Sequence, residues 1–306
     1  MNADKVISNI RTELKTYIVD NNLKSLVVGV SGGIDSALIC AIVKPICDEL
    51  KIPLIGRSLP IKTNKENEIK NANLIGEHFC TDFKEVNLEN LFDFMIANTN
   101  QTEQFTLRHI LNHNSYEGST DAHEDYDRLN KIREGNIKAR IRMIHLYNLA
   151  FMNKGMVLST DNKTEEMLGF FTICGDVGDY SPIQNLWKTE VYDLSRHLVD
   201  EFLKEKQLGK AYALQSCIDI IPTDGLGITS SDVEQLGVSS YKVIDKILQE
   251  YLQLKELLSR ELVTDQDIIN RYNSLLDHAI IKRHTTTHFK RNWPNRGLDR
   301  DELFNR

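Results

Sequence analysis

The chain has 306 residues, 41% hydrophobic and 26% charged, with a formal net charge of −7. That length and composition can bury one large core or two modest ones, and the acidic balance excludes a general nucleic-acid binder, whose footprint is basic. Met1-Asn2-Ala3-Asp4 does not open a signal peptide and no apolar run is long enough to cross a bilayer, so a cytoplasmic protein without membrane contact is expected.

Residues 4–22 predict an amphipathic helix, with Val6, Ile7, Ile10, Leu14, Ile18 and Val19 on one face. Leu26-Val27-Val28-Gly29-Val30 then reads as a buried strand that turns through Ser31-Gly32-Gly33-Ile34-Asp35-Ser36 into the helical pattern Ala37–Val43. Adjacent glycines allow a tight turn, and N–H groups at the positive end of a helix suit an anionic phosphate. Ser31 and Ser36 add hydroxyl donors. The Lys-Ser/Thr pair of the Walker loop is missing, so a lysine from elsewhere must supply the cation.

Strands around 52–56 and 83–86 alternate with helices around 66–79 and 88–96, which predicts an α/β fold with a doubly wound parallel sheet and ligands at the strands' carboxyl ends. Residues 98–128 read as a polar, solvated insertion, and its acids Asp121, Glu124, Asp125 and Asp127 lack the glycine and terminal Glu of a calcium loop. Helix is expected to resume at Arg133, followed by a strand at 156–160, a helix over 187–206, a turn-rich linker at 222–227, two helices within 239–283 and a basic, irregular tail over 284–306. One domain spanning 1–306 is expected. The five cysteines, Cys40, Cys47, Cys80, Cys174 and Cys217, form no Cys-x-x-Cys pair and read as buried thiols; the His109/His113 and His284/His288 spacings read as solvated or packing histidines.

Two further stretches carry chemistry. Asn136 and Arg140 lie four apart on a helix, so an amide and a guanidinium share a face. Glu165 stands about one helical turn beyond a strand end, where it suits a hard cation whose other ligands are phosphate oxygens and water. Asp176 and Asp179 sit in a glycine-flanked loop that could meet a ligand.

Ser31–Ser36 matches the Ser-Gly-Gly-x-Asp-Ser signature of the ATP pyrophosphatases, enzymes that split ATP to AMP and pyrophosphate while adenylating a substrate. With Gly135-Asn136-Ile137-Lys138-Ala139-Arg140-Ile141-Arg142-Met143, Ser159–Gly169, Gly175-Asp176, Lys188-Thr189, Pro222-Thr223 and Lys290-Arg291 in the same order, most of the chain resembles the NAD synthetase family. The resemblance implies ATP-dependent amidation of deamido-NAD by ammonia, through an adenylate of its nicotinate carboxylate. It also implies Mg2+, ATP as co-substrate and a homodimer. ATP contacts carried over are Ser31, Gly32, Gly33, Ile34, Asp35, Ser36, Arg57, Thr160, Lys188 and Thr223. Magnesium ligands are Asp35 and Glu165, and deamido-NAD contacts are Asn136, Arg140, Asp176, Asp179, Lys290 and Arg291. Lys188 would supply the missing cation, and Asp176 would receive or orient the proton of ammonia. Arg57 stands one residue further from Leu59-Pro60 than the family's adenine-side arginine.

The phosphate turn begins about thirty residues from Met1, which is taken to leave no room for a glutaminase domain, so free ammonia is the expected donor. Competing readings are another adenylating enzyme, of the transfer-RNA thiolation or GMP synthetase kind, and a catalytically silent nucleotide binder. Paired cysteines are missing for the thiolase, both enzymes lack the 135–143 string, and the silent reading would be favoured by loss of Asp35, Glu165 or Lys188, all present.

Overall fold

In the computed structural model, residues 1–102, 121–222, 233, 237–259 and 265–292 are described. Helix α1 (Ala3–Asp20) is capped by Asn2, whose side chain accepts from the Lys5 N–H. Strands β1 (Ser25–Gly29), β2 (Leu54–Ser58), β3 (Asp82–Glu85) and β4 (Gly155–Leu158) form one parallel sheet in the order β3-β2-β1-β4. Central β1 pairs Val27 with Ile55 on one side and with Val157 on the other. Its side chains alternate between two cores. Leu26 and Val28 face α1, α2 (Ile34–Leu50) and α3 (Glu66–Phe79), while Val27 faces Phe92 of α4 (Glu89–Thr102) and Ile141 and Leu146 of α5 (Asp121–Met152). Helices on both faces of a parallel sheet confirm the doubly wound expectation.

Beyond β4, α6 (Lys163–Leu168), α7 (Lys188–Lys204) and α8 (Leu208–Ile218) precede α9 (Tyr241–Ser259), α10 (Gln266–Leu276), α11 (Ala279–Thr286) and α12 (His288–Arg291). A third core joins Leu168 of α6 to Ile244 and Leu248 of α9 and Ile280 and Ile281 of α11. The sheet therefore carries an extra helical wall beside the carboxyl edge of β1 and β4.

Several expected boundaries move. Helix α5 opens at Asp121 instead of Arg133, so the acids Asp121, Glu124, Asp125 and Asp127 lie along a helix, and residues 103–120, with His109 and His113, fall outside the described residues. Helix α8 was not expected, because Gly209 weakens its pattern; that glycine admits His78, whose ring lies 2.4 Å from where a Cβ would stand. The 239–283 stretch starts a third helix, α11, which runs into the tail expected to be irregular, and α12 follows there up to Arg291. Cys40, Cys47 and Cys217 are buried, whereas Cys80 is half-buried and Cys174 exposed. His284 packs as expected: its ring sits edge-on to Tyr251 and bonds the Met167 carbonyl at 2.8 Å. No helix among the described residues is long and apolar enough to cross a membrane.

Candidate active site

The turn between β1 and α2 is fastened by its own serines. Ser36 Oγ donates to the Gly33 carbonyl at 3.1 Å and receives the Ser31 N–H at 3.2 Å, while Ser31 Oγ accepts the Gly33 N–H at 3.2 Å. Gly32 has φ +83°, and a Cβ there would stand 2.0 Å from the Glu68 carbonyl oxygen of α3. Only glycine lets the turn lie so close to that helix. The result is a rigid cradle at the positive end of α2, with Asp35 in its first turn.

Three charged side chains meet beside the cradle. Lys188, the first residue of α7, is 3% exposed, and its Nζ lies 2.5 Å from Asp35 Oδ2 and 3.0 Å from Glu165 Oε1. The two carboxylates hold the ammonium charged and its pKa well above the usual lysine range despite burial. Burial pushes Glu165 up to about 8, against the attraction of Lys188. Asn162 joins these elements: it caps α6 by accepting the Glu165 N–H at 3.1 Å, and its amide donates to Asp35 Oδ1 at 2.9 Å. Glu165 returns a carboxylate oxygen to the Asn162 N–H at 3.3 Å, completing a capping box. Behind them, buried Asp245 of α9 accepts from Thr164 Oγ1 at 2.5 Å, from the Thr189 N–H at 2.9 Å and from Thr189 Oγ1 at 2.8 Å. It thus supplies, from another helix, the anionic cap that α7 lacks at Trp187.

One cavity opens from this cluster, and a second adjoins the first. The first, about 500 Å3, is lined by Ser31, Gly33, Ile34, Asp35, Arg57, Asn136, Thr160, Glu165, Asp176, Lys188 and Lys290. The second, about 800 Å3, is lined by Arg140, Ile144, Tyr147, Ile173, Lys290 and Arg291 among others. Their partition is the segment 169–176. Thr172 Oγ1 donates to Asn136 Oδ1 at 2.7 Å, the Thr172 N–H donates to Asp176 Oδ2 at 2.6 Å, and Lys290 Nζ donates to the carbonyls of Gly169, at 2.8 Å, and Phe171. Burial raises the Asp176 carboxyl, although Arg142 and Lys290 oppose it, and burial lowers the Lys290 ammonium.

The structure therefore gathers most of the expected residues and separates a few. Asn136 and Arg140 do not converge on one pocket: Asn136 lines the first cavity and exposed Arg140 the second, its Nε 3.3 Å from the Ile173 carbonyl. Asp179 lines neither cavity, because its carboxylate accepts the Val157 N–H at 2.8 Å and caps the edge of β4. Arg57 reaches the first cavity, but its guanidinium is committed to Asp82 at 2.7 Å and to the Gly56 carbonyl at 2.7 Å. Ser36 and Gly32 shape the turn from behind. Arg291 is spent largely on the carbonyls of Met167, at 2.8 Å, and His284. Thr223 lies outside the described residues.

Four residues had no expected role: Asn162, Asp245, Asp161 and Arg142. The Asn162-x-x-Glu165 spacing of a capping box was available in the sequence, and Asp161 bonds Ser159 two residues away; Asp245 and Arg142 depend on partners far along the chain. Arg142 is one such, its Nε donating to the Leu59 carbonyl at 2.9 Å and its Nη2 to Asn64 at 3.0 Å.

A parallel sheet whose central strand feeds a serine-fastened anion cradle, flanked by a buried Asp–Glu–Lys cluster, defines an α/β nucleotide-binding protein equipped for chemistry at phosphate. Residues 6–294 match the NAD synthase family, and the chain belongs to it. It is 29% identical over 288 residues to the NH(3)-dependent NAD(+) synthetase of Pyrococcus furiosus, covering 92% of this chain and 93% of that protein. It is 33% identical over 252 residues to that of Methanococcoides burtonii, covering 81% and 78%. Its fold matches an NMN synthetase from Francisella tularensis with TM-score 0.68 and 21% identity over 98% of each chain.

Proposed function

We propose that the chain amidates the nicotinate carboxylate of deamido-NAD with ammonia, consuming ATP and releasing AMP and pyrophosphate. The observation that carries this reading is the single cavity in which the Ser31–Ser36 cradle, Lys188 and the 169–176 partition meet, in a chain whose curated relatives bear the name of that reaction. ATP lies in the first cavity with its departing pyrophosphate against the cradle. The dinucleotide enters from the second, where Arg140, Lys290 and Arg291 supply positive charge.

Attack of a carboxylate on the α-phosphorus brings anion to anion. Lys188 and the N–H groups at the start of α2 offset that repulsion and steady the charge that grows on pyrophosphate. The Asp35–Glu165 pair fits Mg2+: both are hard oxygen donors, and both already face one cation, Nζ of Lys188. Held by Asp35 and Glu165, the ion would supply Lewis-acid assistance to the departure of pyrophosphate. The partition, held by Asp176 and Lys290, keeps the acyl carbon at the junction of the cavities and excludes water from the mixed anhydride.

The protein acts as a homodimer through α5. Ile144 is 66%, Phe151 87% and Met152 71% exposed along one side of that helix, and Ile144 also edges the second cavity. Large apolar side chains in a row are what an obligate interface covers. Residues 1–306 work as one catalytic domain.

The test is NAD formation from deamido-NAD, ATP and Mg2+, with ammonium or glutamine as nitrogen donor and AMP followed in parallel. NAD with ammonium alone supports the reading; AMP without NAD moves the acceptor elsewhere, and neither product leaves a silent nucleotide binder. A parallel assay with the corresponding mononucleotide fixes the acceptor's length, since one fold neighbour is named NMN synthetase.

A further inference from the structure

Lys138 stands on α5 between Asn136 and Arg140, which line the two cavities, yet it lines neither. It is 5% exposed, its Nζ donates to Thr63 Oγ1 at 3.1 Å, and that nitrogen lies 5.2 Å over the centre of the Phe92 ring. Burial lowers its pKa; among the described residues Glu134, one turn earlier, attracts it, and Arg142 and Lys62 repel it. An ammonium buried against one hydroxyl and a ring face costs stability. Packing alone does not account for a lysine here.

Arg142, one turn further along α5, reaches the same loop. Its Nε donates to the Leu59 carbonyl at 2.9 Å and its Nη2 to Asn64 Oδ1 at 3.0 Å, the oxygen that also accepts the Ile61 N–H at 2.9 Å. Within this loop Lys62 has φ +52°, a conformation that persists where the surroundings hold it. The loop leaves β2, the parallel neighbour of β1, so it rises beside the cradle on the crevice where α/β sheets take ligands. Leu59, Pro60 and Asn64 line the first cavity. With phosphates on the cradle and the acyl group at the 169–176 partition, this loop is the wall left for the nucleoside of ATP.

We infer that Lys138 is a positioning residue for ATP: through Thr63, and together with Arg142, it clamps the 59–64 loop in the shape that receives the nucleoside. This rests on the amidation reading above. The clamp also bears on the cradle, because the loop runs into α3, whose Glu68 carbonyl lies against Gly32.

Two measurements on the full chain test this: calorimetric binding of ATP with Mg2+, and the deamido-NAD-dependent exchange of pyrophosphate into ATP. No exchange in wild type overturns the amidation reading, and ATP binding then decides the clamp by itself. Lys138→Met removes the charge at similar length. Its Kd and KM for ATP are expected to rise about tenfold, with exchange kcat and KM for deamido-NAD within about twofold of wild type. Its melting temperature is expected to equal or exceed that of wild type, since a buried charge without a carboxylate is gone. Thr63→Val, at an exposed position, gives the same ATP-specific loss, about fivefold, and the double variant binds ATP no worse than Lys138→Met because both changes remove one contact. Unchanged ATP affinity in Lys138→Met overturns the clamp. So does a loss shared by both substrates in step with a lowered melting temperature, and additive losses in the double variant remove Thr63 as the point of contact. Should Lys138→Met give no folded protein, Thr63→Val decides, and an unmoved Kd for ATP overturns the proposal.

Discussion

The Asn162 side-chain amide donates to Asp35 Oδ1 at 2.9 Å, across 127 residues of sequence, while its carbonyl oxygen caps α6 at Glu165. One buried side chain therefore sets the spacing of both acids proposed to hold Mg2+. Replacing it by Ala removes a helix cap, worth about 1 kcal/mol, and a partner that orients a ligand, worth about 10- to 100-fold in metal affinity. Asn162→Ala is expected to raise the Mg2+ concentration for half-maximal activity by that factor with little loss at saturating Mg2+. An unchanged Mg2+ titration would separate Asn162 from the metal.

Lys188 stands between two carboxylates at 3% exposure. Lys188→Met strands Asp35 and Glu165, at a cost of about 3 kcal/mol, the low end for a broken buried pair because both acids are only half-buried. Pyrophosphate exchange falls about 10²- to 10³-fold through the lost charge on the leaving group. Denaturant unfolding and exchange assays read the two effects separately, and near-normal exchange would remove Lys188 from the chemistry.

The pH dependence of stability has a definite sign. Glu165 and Asp161 are raised on folding, to about 8 and about 7, so between about pH 4 and 8 the folded state binds more protons than the unfolded chain. Stability therefore falls as pH rises through that window, in the absence of nucleotide and metal. Lys188, raised from an already high value, loses nothing until the pH is far more alkaline. The melting temperature of the ligand-free protein is expected to drop from pH 5 to pH 8 and to recover with Mg2+-ATP. A flat or rising profile would show that these acids stay ionised.

How much of this was legible differs by element for a physical reason. The β1–turn–α2 unit was readable because its determinants are contiguous: an apolar run, Gly32 with φ +83° and Ser31 and Ser36 bonding each other within five residues. Glu165 was readable from its distance to a strand end. The Asp245 ties to Thr164 and Thr189 span 81 and 56 residues, and nothing in the local pattern of α9 announces that one of its buried positions carries a carboxylate. Asp179 has a partner that its local pattern does not announce. A glycine-flanked acid looks like a ligand contact, yet the Val157 N–H at a sheet edge needed an acceptor and took it. Arg140 shares its helix face with Asn136, but the 172–173 segment lies against that face and divides it between two cavities.

Asp245 offers a test of the wall behind the site. It accepts three bonds from the residues that aim Glu165 and Lys188, so Asp245→Asn turns one acceptor into a donor facing another donor. The cost is about 1 to 3 kcal/mol, and kcat falls because α6 and α7 lose their common anchor. Binding of ATP to the cradle, which the β1–α2 turn forms against α3, is expected to change less than kcat. Equal losses in both would mean that the cradle depends on the C-terminal helices as well.

The exposed side of α5 gives the last prediction. Phe151 and Ile144, 87% and 66% exposed, contribute nothing to the protomer's own core, so Ile144→Asp with Phe151→Glu leaves monomer packing intact. Buried in a dimer, each introduced carboxylate faces apolar surface and its own symmetry mate, a desolvation cost that no partner offsets. Sedimentation is expected to show a dimer becoming a monomer while far-ultraviolet circular dichroism stays unchanged. Because Ile144 also borders the second cavity, KM for deamido-NAD rises in the monomer more than KM for ATP. A wild-type chain that sediments as a monomer at micromolar concentration removes the dimer from the proposal.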